Sequence, residues 1–251
     1  MAEPTNVDSH KLMFHPKRVA EWQEKSDCYP IYVEIGPTNI CNHRCVFCAL
    51  DFLGYGREII DREVMLATLK DMAEHGVKSV MFAGEGEPLL HKNICEFVNK
   101  AKEHGMDISI TTNGVHLTRE KIESCLSSLS WIRFSVDSGS PENYSQIHGT
   151  KPDDFNKVVD NIKTAVEFKQ ENRLKTIIGV QFLMIPPEEI VKGKKDGSFI
   201  VLSDEEIVKI RESERNDDEK EKEGKIEVNI EVLNGIFTPF LKETYKTWGI
   251  G

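Results

Sequence analysis

Apolar residues recur along this chain in two rhythms that take turns. Short dense or alternating runs read as strands: IYVEIG (31–36), SVMFAG (79–84), DISITTNG (107–114), WIRFSVD (131–137) and TIIGVQFLMI (176–185). Longer stretches with three-to-four spacing read as helices. DREVMLATLKDMAEHG (61–76) puts Val64, Met65, Leu69 and Met72 on that spacing and stops at Gly76. NICEFVNKAKEHG (93–105) repeats the pattern with its own glycine stop. LTREKIESCLSSL (117–129) offers Thr118 as a cap and Glu120 in a first turn, where a carboxylate suits the helix dipole. DFNKVVDNIKTAVEFKQ (154–170) predicts a long amphipathic helix.

The rest of the chain is less regular. Residues 185–199 hold Pro, Gly and Lys and read as a loop. Residues 203–225 open on a capping pattern, Ser203 to Glu206, and run into a stretch of charge that reads as a solvated helix or mobile loop. IEVNIEVL (226–233) alternates and predicts a sixth strand; FLKETYKTW (240–248) predicts a closing helix. No internal repeat is present. Strand and helix in alternation predict an α/β fold, a parallel sheet with helices outside it. Ligands of such sheets sit at the carboxyl ends of the strands. The expected organisation is an N-terminal extension over 1–29 and a core over 30–251, with 186–225 a variable segment.

Composition narrows the function classes. The chain has 251 residues, room for one large α/β domain. A net charge of −10 argues against a nucleic-acid backbone as partner. No apolar run approaches the roughly 20 residues of a membrane span. The first ten residues, MAEPTNVDSH, lack the apolar centre of a leader peptide, so a cytoplasmic protein is expected. Thiols stay reduced there, and clustered cysteines then suggest metal or redox chemistry rather than disulfides.

Three of the six cysteines, Cys41, Cys45 and Cys48, fall within CNHRCVFC directly after the first strand signal. Thiolates are soft ligands suited to zinc, copper(I) or iron–sulfur clusters. A structural zinc site needs a fourth protein ligand, and neither Cys28 nor His43 has a usual zinc-finger spacing. Three readings stay open on these residues: an enzyme with an open metal position, an iron–sulfur electron-transfer protein, and a zinc-stabilised binding module. Cys95 and Cys125, on predicted helices, read as separate buried apolar thiols.

CNHRCVFC resembles the cluster-binding loop of the radical S-adenosylmethionine (radical SAM) superfamily, C-x3-C-x-aromatic-C, with Phe47 as the aromatic. GEGEPLLH (84–91) resembles that family's glycine–glutamate motif; TTNG, FSVD and YSQIHG (144–149) resemble its molybdenum-cofactor and peptide-maturase branch. The resemblance covers about residues 30–185 and implies a partial (β/α)6 TIM-like barrel with parallel strands. It implies that Cys41, Cys45 and Cys48 hold three irons of a [4Fe–4S] cluster while SAM chelates the fourth. One electron then cleaves SAM, and a 5′-deoxyadenosyl radical takes hydrogen from substrate. It further implies cofactor contacts at Phe47, at the backbone of Gly84 and Gly86, and at Asn113. Ser135 and Asp137 are read as sharing one face of a strand, Gln181 follows on the next, and His148 stands where relatives often carry arginine. A carboxylate of Glu85 or Glu87, with Glu87 favoured, would accept from the SAM ammonium. The implied partners are a sugar, nucleotide or peptide substrate and a reductant such as flavodoxin or ferredoxin. No cysteine follows Cys125, so a single cluster and a redox-neutral outcome are expected.

Overall fold

Five strands lie side by side in chain order, and every neighbouring pair is parallel. The structure, a computed structural model, describes residues 12–48 and 56–183. The strands are β1 (Tyr32–Ile35), β2 (Ser79–Phe82), β3 (Asp107–Thr112), β4 (Trp131–Ser135) and β5 (Ile177–Gln181). A doubly wound sheet reverses its strand order at a switch point; this order does not reverse. Right-handed crossovers therefore carry every connecting helix to the same face, as in a barrel opened along one side.

The sequence alternation shows how that face is filled. Val33 and Ile35, Val80 and Phe82, Ile108 and Ile110, Ile132 and Phe134, and Ile178 and Val180 all pack into one apolar core. Their alternates, including Glu34, Met81, Thr111, Arg133 and Gln181, point to the other face of the sheet. The core-side helices are α2 (Arg62–Glu74), α3 (Ile94–Glu103), α4 (Arg119–Cys125) and α6 (Pro152–Glu171). Each begins near its predicted start. Asp61 caps α2 by accepting from the Glu63 and Val64 amides, and Thr118 caps α4 by accepting from Lys121. The predicted 117–129 helix is shorter than expected: its last turn tightens into a 3₁₀ turn over Leu126–Ser128.

Two helices escaped the pattern reading. α1 (Pro16–Lys25) lies within the stretch expected as an N-terminal extension and buries none of its residues. α5 (Pro141–His148) is short. Its signals are local: Ser140 as cap, Pro141 at the first turn, and Gly149 as the left-handed stop. The loop expected at 185–199, the charged stretch over 203–225, the sixth strand at 226–233 and the helix at 240–248 lie outside the described residues. No helix among the described residues is long and apolar enough to cross a membrane.

Candidate functional site

The cysteine loop follows β1 and is clamped from two sides. On one side α5 ends against it. The Arg44 amide donates to His148 O at 2.8 Å, and the Val46 amide donates to Ile147 O at 2.9 Å. The carbonyls that the last turn of α5 leaves open are satisfied by the cysteine loop itself. On the other side the Glu87 amide donates to Ile40 O at 2.8 Å. Gly86 makes that approach possible. Its φ is +75°, and a Cβ there would lie 2.3 Å from Thr38 O. The close approach expected between this glycine motif and a ligand is thus an approach to the protein's own backbone at Gly86. Gly84 is exposed.

Glu87, the glutamate favoured for the SAM ammonium, is already engaged within the protein. It is buried, and its carboxylate is occupied by three donors. Oε1 accepts from the Thr112 hydroxyl at 2.6 Å and the Leu89 amide at 3.0 Å; Oε2 accepts from the Asn113 amide at 2.8 Å. Burial pushes this carboxyl up, and the three hydrogen bonds pull against it. Its work is to tie the strand end at TTNG to the glycine motif. Asn113 passes that tie to the cysteine loop, because its Nδ2 donates to Asn42 Oδ1 at 2.9 Å. Glu85 is the glutamate that remains exposed. It lines a cavity of about 420 Å³ together with Glu34, Gly36, Asn39, Glu58 and Gly84. Three carboxylates around one opening suit a cationic group such as an ammonium.

The other expected contacts separate. Ser135 ends β4 half-buried, with Gln181 directly beside it in register at the end of β5. Asp137 does not continue the strand, so it shares no alternating face with Ser135. Its φ is +52°, and its carboxylate accepts from the Leu183 amide at 2.6 Å. Aspartate tolerates that left-handed turn, which is the turn role its type suggests. Burial pushes its carboxyl up to about 6. Phe47 is 42% exposed, too open to be a core residue. His148 is buried beneath the loop: its Nε2 donates to Val136 O at 2.9 Å and its Nδ1 faces Cys45 Sγ at 3.1 Å.

The three thiols form one electrostatic unit. Burial first, and then the sulfurs of Cys41 and Cys48, push the Cys45 thiol up; burial leads at Cys41 as well, with Cys48 adding to it. Three thiolates in one half-buried loop repel one another unless a cation neutralises them, and a metal centre does so. The donor set fits an iron–sulfur cluster: three soft ligands on one loop, and Cys28, Cys95 and Cys125 all outside it. The leftover cysteines are not all isolated, however. The Cys95 and Cys125 sulfurs converge on Lys121 O at 3.9 and 3.2 Å, a pairing that no spacing along the chain announces.

Comparison with known proteins agrees with this donor set. The sequence model of the Radical SAM superfamily matches residues 35–192. A GTP 3′,8-cyclase of Limosilactobacillus fermentum is 35% identical over 140 residues, 53% of this chain and 41% of that protein. A probable GTP 3′,8-cyclase of Methanocaldococcus jannaschii is 34% identical over 142 residues, 54% of this chain and 45% of that protein. The chain thus spans less than half the length of these relatives. Among solved structures, Streptococcus suis SuiB bound to S-adenosylmethionine superposes with a TM-score of 0.53 at 21% identity, over 72% of this chain and 41% of that one. SuiB bound to its precursor peptide SuiA gives 0.54 at 21% identity, over 72% and 39%. That likeness is one of fold.

Proposed function

The chain belongs to the radical SAM superfamily, and on that premise we propose that it is an enzyme holding one [4Fe–4S] cluster on Cys41, Cys45 and Cys48. SAM would meet the cluster at the strand ends. When bound, these two groups supply one-electron cleavage of SAM and, from it, a radical able to take hydrogen from substrate. The observation that carries this reading is the three-thiol loop held rigidly beside an acid-lined opening.

The chain's own residues have separable tasks. The backbone bonds from Arg44 and Val46 to α5 fix the spacing of the sulfurs. Glu87, Thr112 and Asn113 lock the neighbouring strand end. Glu85, with Glu34 and Glu58 nearby, would receive the SAM ammonium. Phe47 offers an exposed ring for the adenine. Ser135 and Gln181, paired across β4 and β5, would bond ribose hydroxyls.

An anionic small molecule suits the substrate side better than a neutral one. Arg133 projects from β4 on the face away from the core. Its Nη2 donates to Thr111 Oγ1 at 3.2 Å, its guanidinium lies 5.6 Å from the Trp131 ring centroid, and its Nε is buried with no hydrogen-bond partner among the described residues. Relatives at about a third identity are named GTP 3′,8-cyclases, which agrees with a nucleotide-like substrate. A donor of the flavodoxin or ferredoxin class, in a reducing cytoplasm, would supply the electron. Reconstituted, reduced protein should release 5′-deoxyadenosine and methionine from SAM. A fully loaded and reduced protein that yields neither contradicts the reading.

A further inference from the structure

Below the cysteine loop lies a ring cluster that the proposed function leaves unused. His43 and His148 are each 1% exposed, with ring centroids 5.3 Å apart. Tyr144 lies tilted against His148 at 4.3 Å and meets His43 edge-on at 5.7 Å. One donor atom each from His43, Cys45 and His148 all lie within 4.8 Å of one another. Among the described residues neither ring nitrogen of His43 has a hydrogen-bond partner, and nor has the Tyr144 hydroxyl. A buried imidazole with both nitrogens unsatisfied is unusual and calls for a ligand.

The surroundings of the two rings are those of metal-ligating histidines. Such a residue normally turns its far N–H to a carbonyl or carboxylate, which fixes the tautomer and leaves the near nitrogen as a lone pair. His148 does this: Nε2–H donates to Val136 O, and Nδ1 faces Cys45. His43 approaches the same arrangement, with Nε2 3.9 Å from Asp154 Oδ2. Asp154 is itself held by Thr150 and Lys157, at 2.5 and 3.0 Å.

We propose that His43, Cys45 and His148 form a second metal site, one that takes a single zinc-class divalent cation when no cluster occupies Cys45. Zinc accepts this mixed nitrogen and sulfur set, at about 2.0–2.1 Å to nitrogen and about 2.3 Å to sulfur, with a fourth position left for water. Those lengths in a tetrahedron set the donor atoms roughly 3.3–3.7 Å apart. The 3.1 Å Cys45–His148 separation must open slightly, and the widest pair must close. Cys45 is half-buried and gives the ion its way in. Both sites draw on the Cys45 sulfur, so zinc and the cluster compete for it. Zinc also outranks iron(II) in affinity for such donors.

The test uses the full chain carrying C41A and C48A together, which can hold neither the cluster nor a three-thiolate metal. Metal-stripped protein is titrated with cobalt(II), then with zinc against a competing chelator. One equivalent of cobalt with a tetrahedral spectrum and one thiolate charge-transfer band is expected. Adding C45S should abolish that band, and H43F or H148F should each weaken zinc binding at least about tenfold. Circular dichroism checks that each variant is folded; if a histidine variant is not, the C45S comparison still decides. In the unmutated chain, one equivalent of zinc added before reconstitution should lower iron uptake. No binding by the double variant, binding indifferent to Cys45, or an octahedral cobalt spectrum overturns the proposal. None of these results touches SAM cleavage by the loaded protein, so the two readings fail separately.

Discussion

Glu87 shows how a motif residue can serve the architecture directly. Both its oxygens face donors, so glutamine at this position must turn an NH2 group toward one of them. Glu87→Gln should therefore destabilise the fold by about 1–3 kcal/mol in denaturant unfolding, the cost of an unsatisfied buried polar group. An unchanged midpoint would show that the carboxylate is dispensable. The Cys95–Cys125 pair has its own signature at this scale. The neighbouring Cys125, with Ser124 and Lys121, pulls the Cys95 thiol below the ordinary thiol range, against burial. The alkylation rate of Cys95 should therefore rise at lower pH than that of an ordinary thiol. Cys125→Ala should move the midpoint of that rise upward. A midpoint that stays put means that Cys125 is not the cause.

Among the elements, α5 matters most to the site, because its last turn carries the hydrogen bonds that hold the cysteine loop. Gly149 ends it with φ +55°, and a Cβ there would lie 2.2 Å from Arg44 O. Gly105 also has positive φ, +85°, but nothing lies within 4 Å of its missing Cβ. Gly105→Ala should cost only the left-handed backbone penalty, about 1 kcal/mol. Gly149→Ala should cost more and should also reduce the iron kept after desalting. Equal behaviour of the two variants would mean that α5 does not hold the loop. The strands and long helices were legible in the sequence because each has one wet and one dry side, and burial writes that asymmetry as a period. α5 carries only Tyr144, Ile147 and His148 inward, too few to set a period, and only its Ser140 cap and Gly149 stop marked it. The thiol triplet was legible because its ligands are close in sequence. The role of Glu87 was not, because its partners Thr112 and Asn113 lie on another strand, and only the register of β2 against β3 brings them together.

In the molecule as a whole, strand order links fold to chemistry. An unreversed parallel sheet places the cysteine loop, the glycine motif, TTNG and the Ser135–Gln181 pair along one rim, while the apolar core fills the opposite face. The loop needs a cation, and the rim has acidic and hydrogen-bonding groups for a ligand carrying an ammonium and a ribose. The central claim is that the metal on Cys41, Cys45 and Cys48 keeps one position for SAM. Electron paramagnetic resonance of the reduced, reconstituted protein tests it most directly, recorded with and without SAM labelled with ¹⁵N at its amino group. SAM should shift the cluster signal, and a ¹⁵N hyperfine coupling should appear. A strong cluster signal that SAM leaves unshifted and uncoupled would contradict the account.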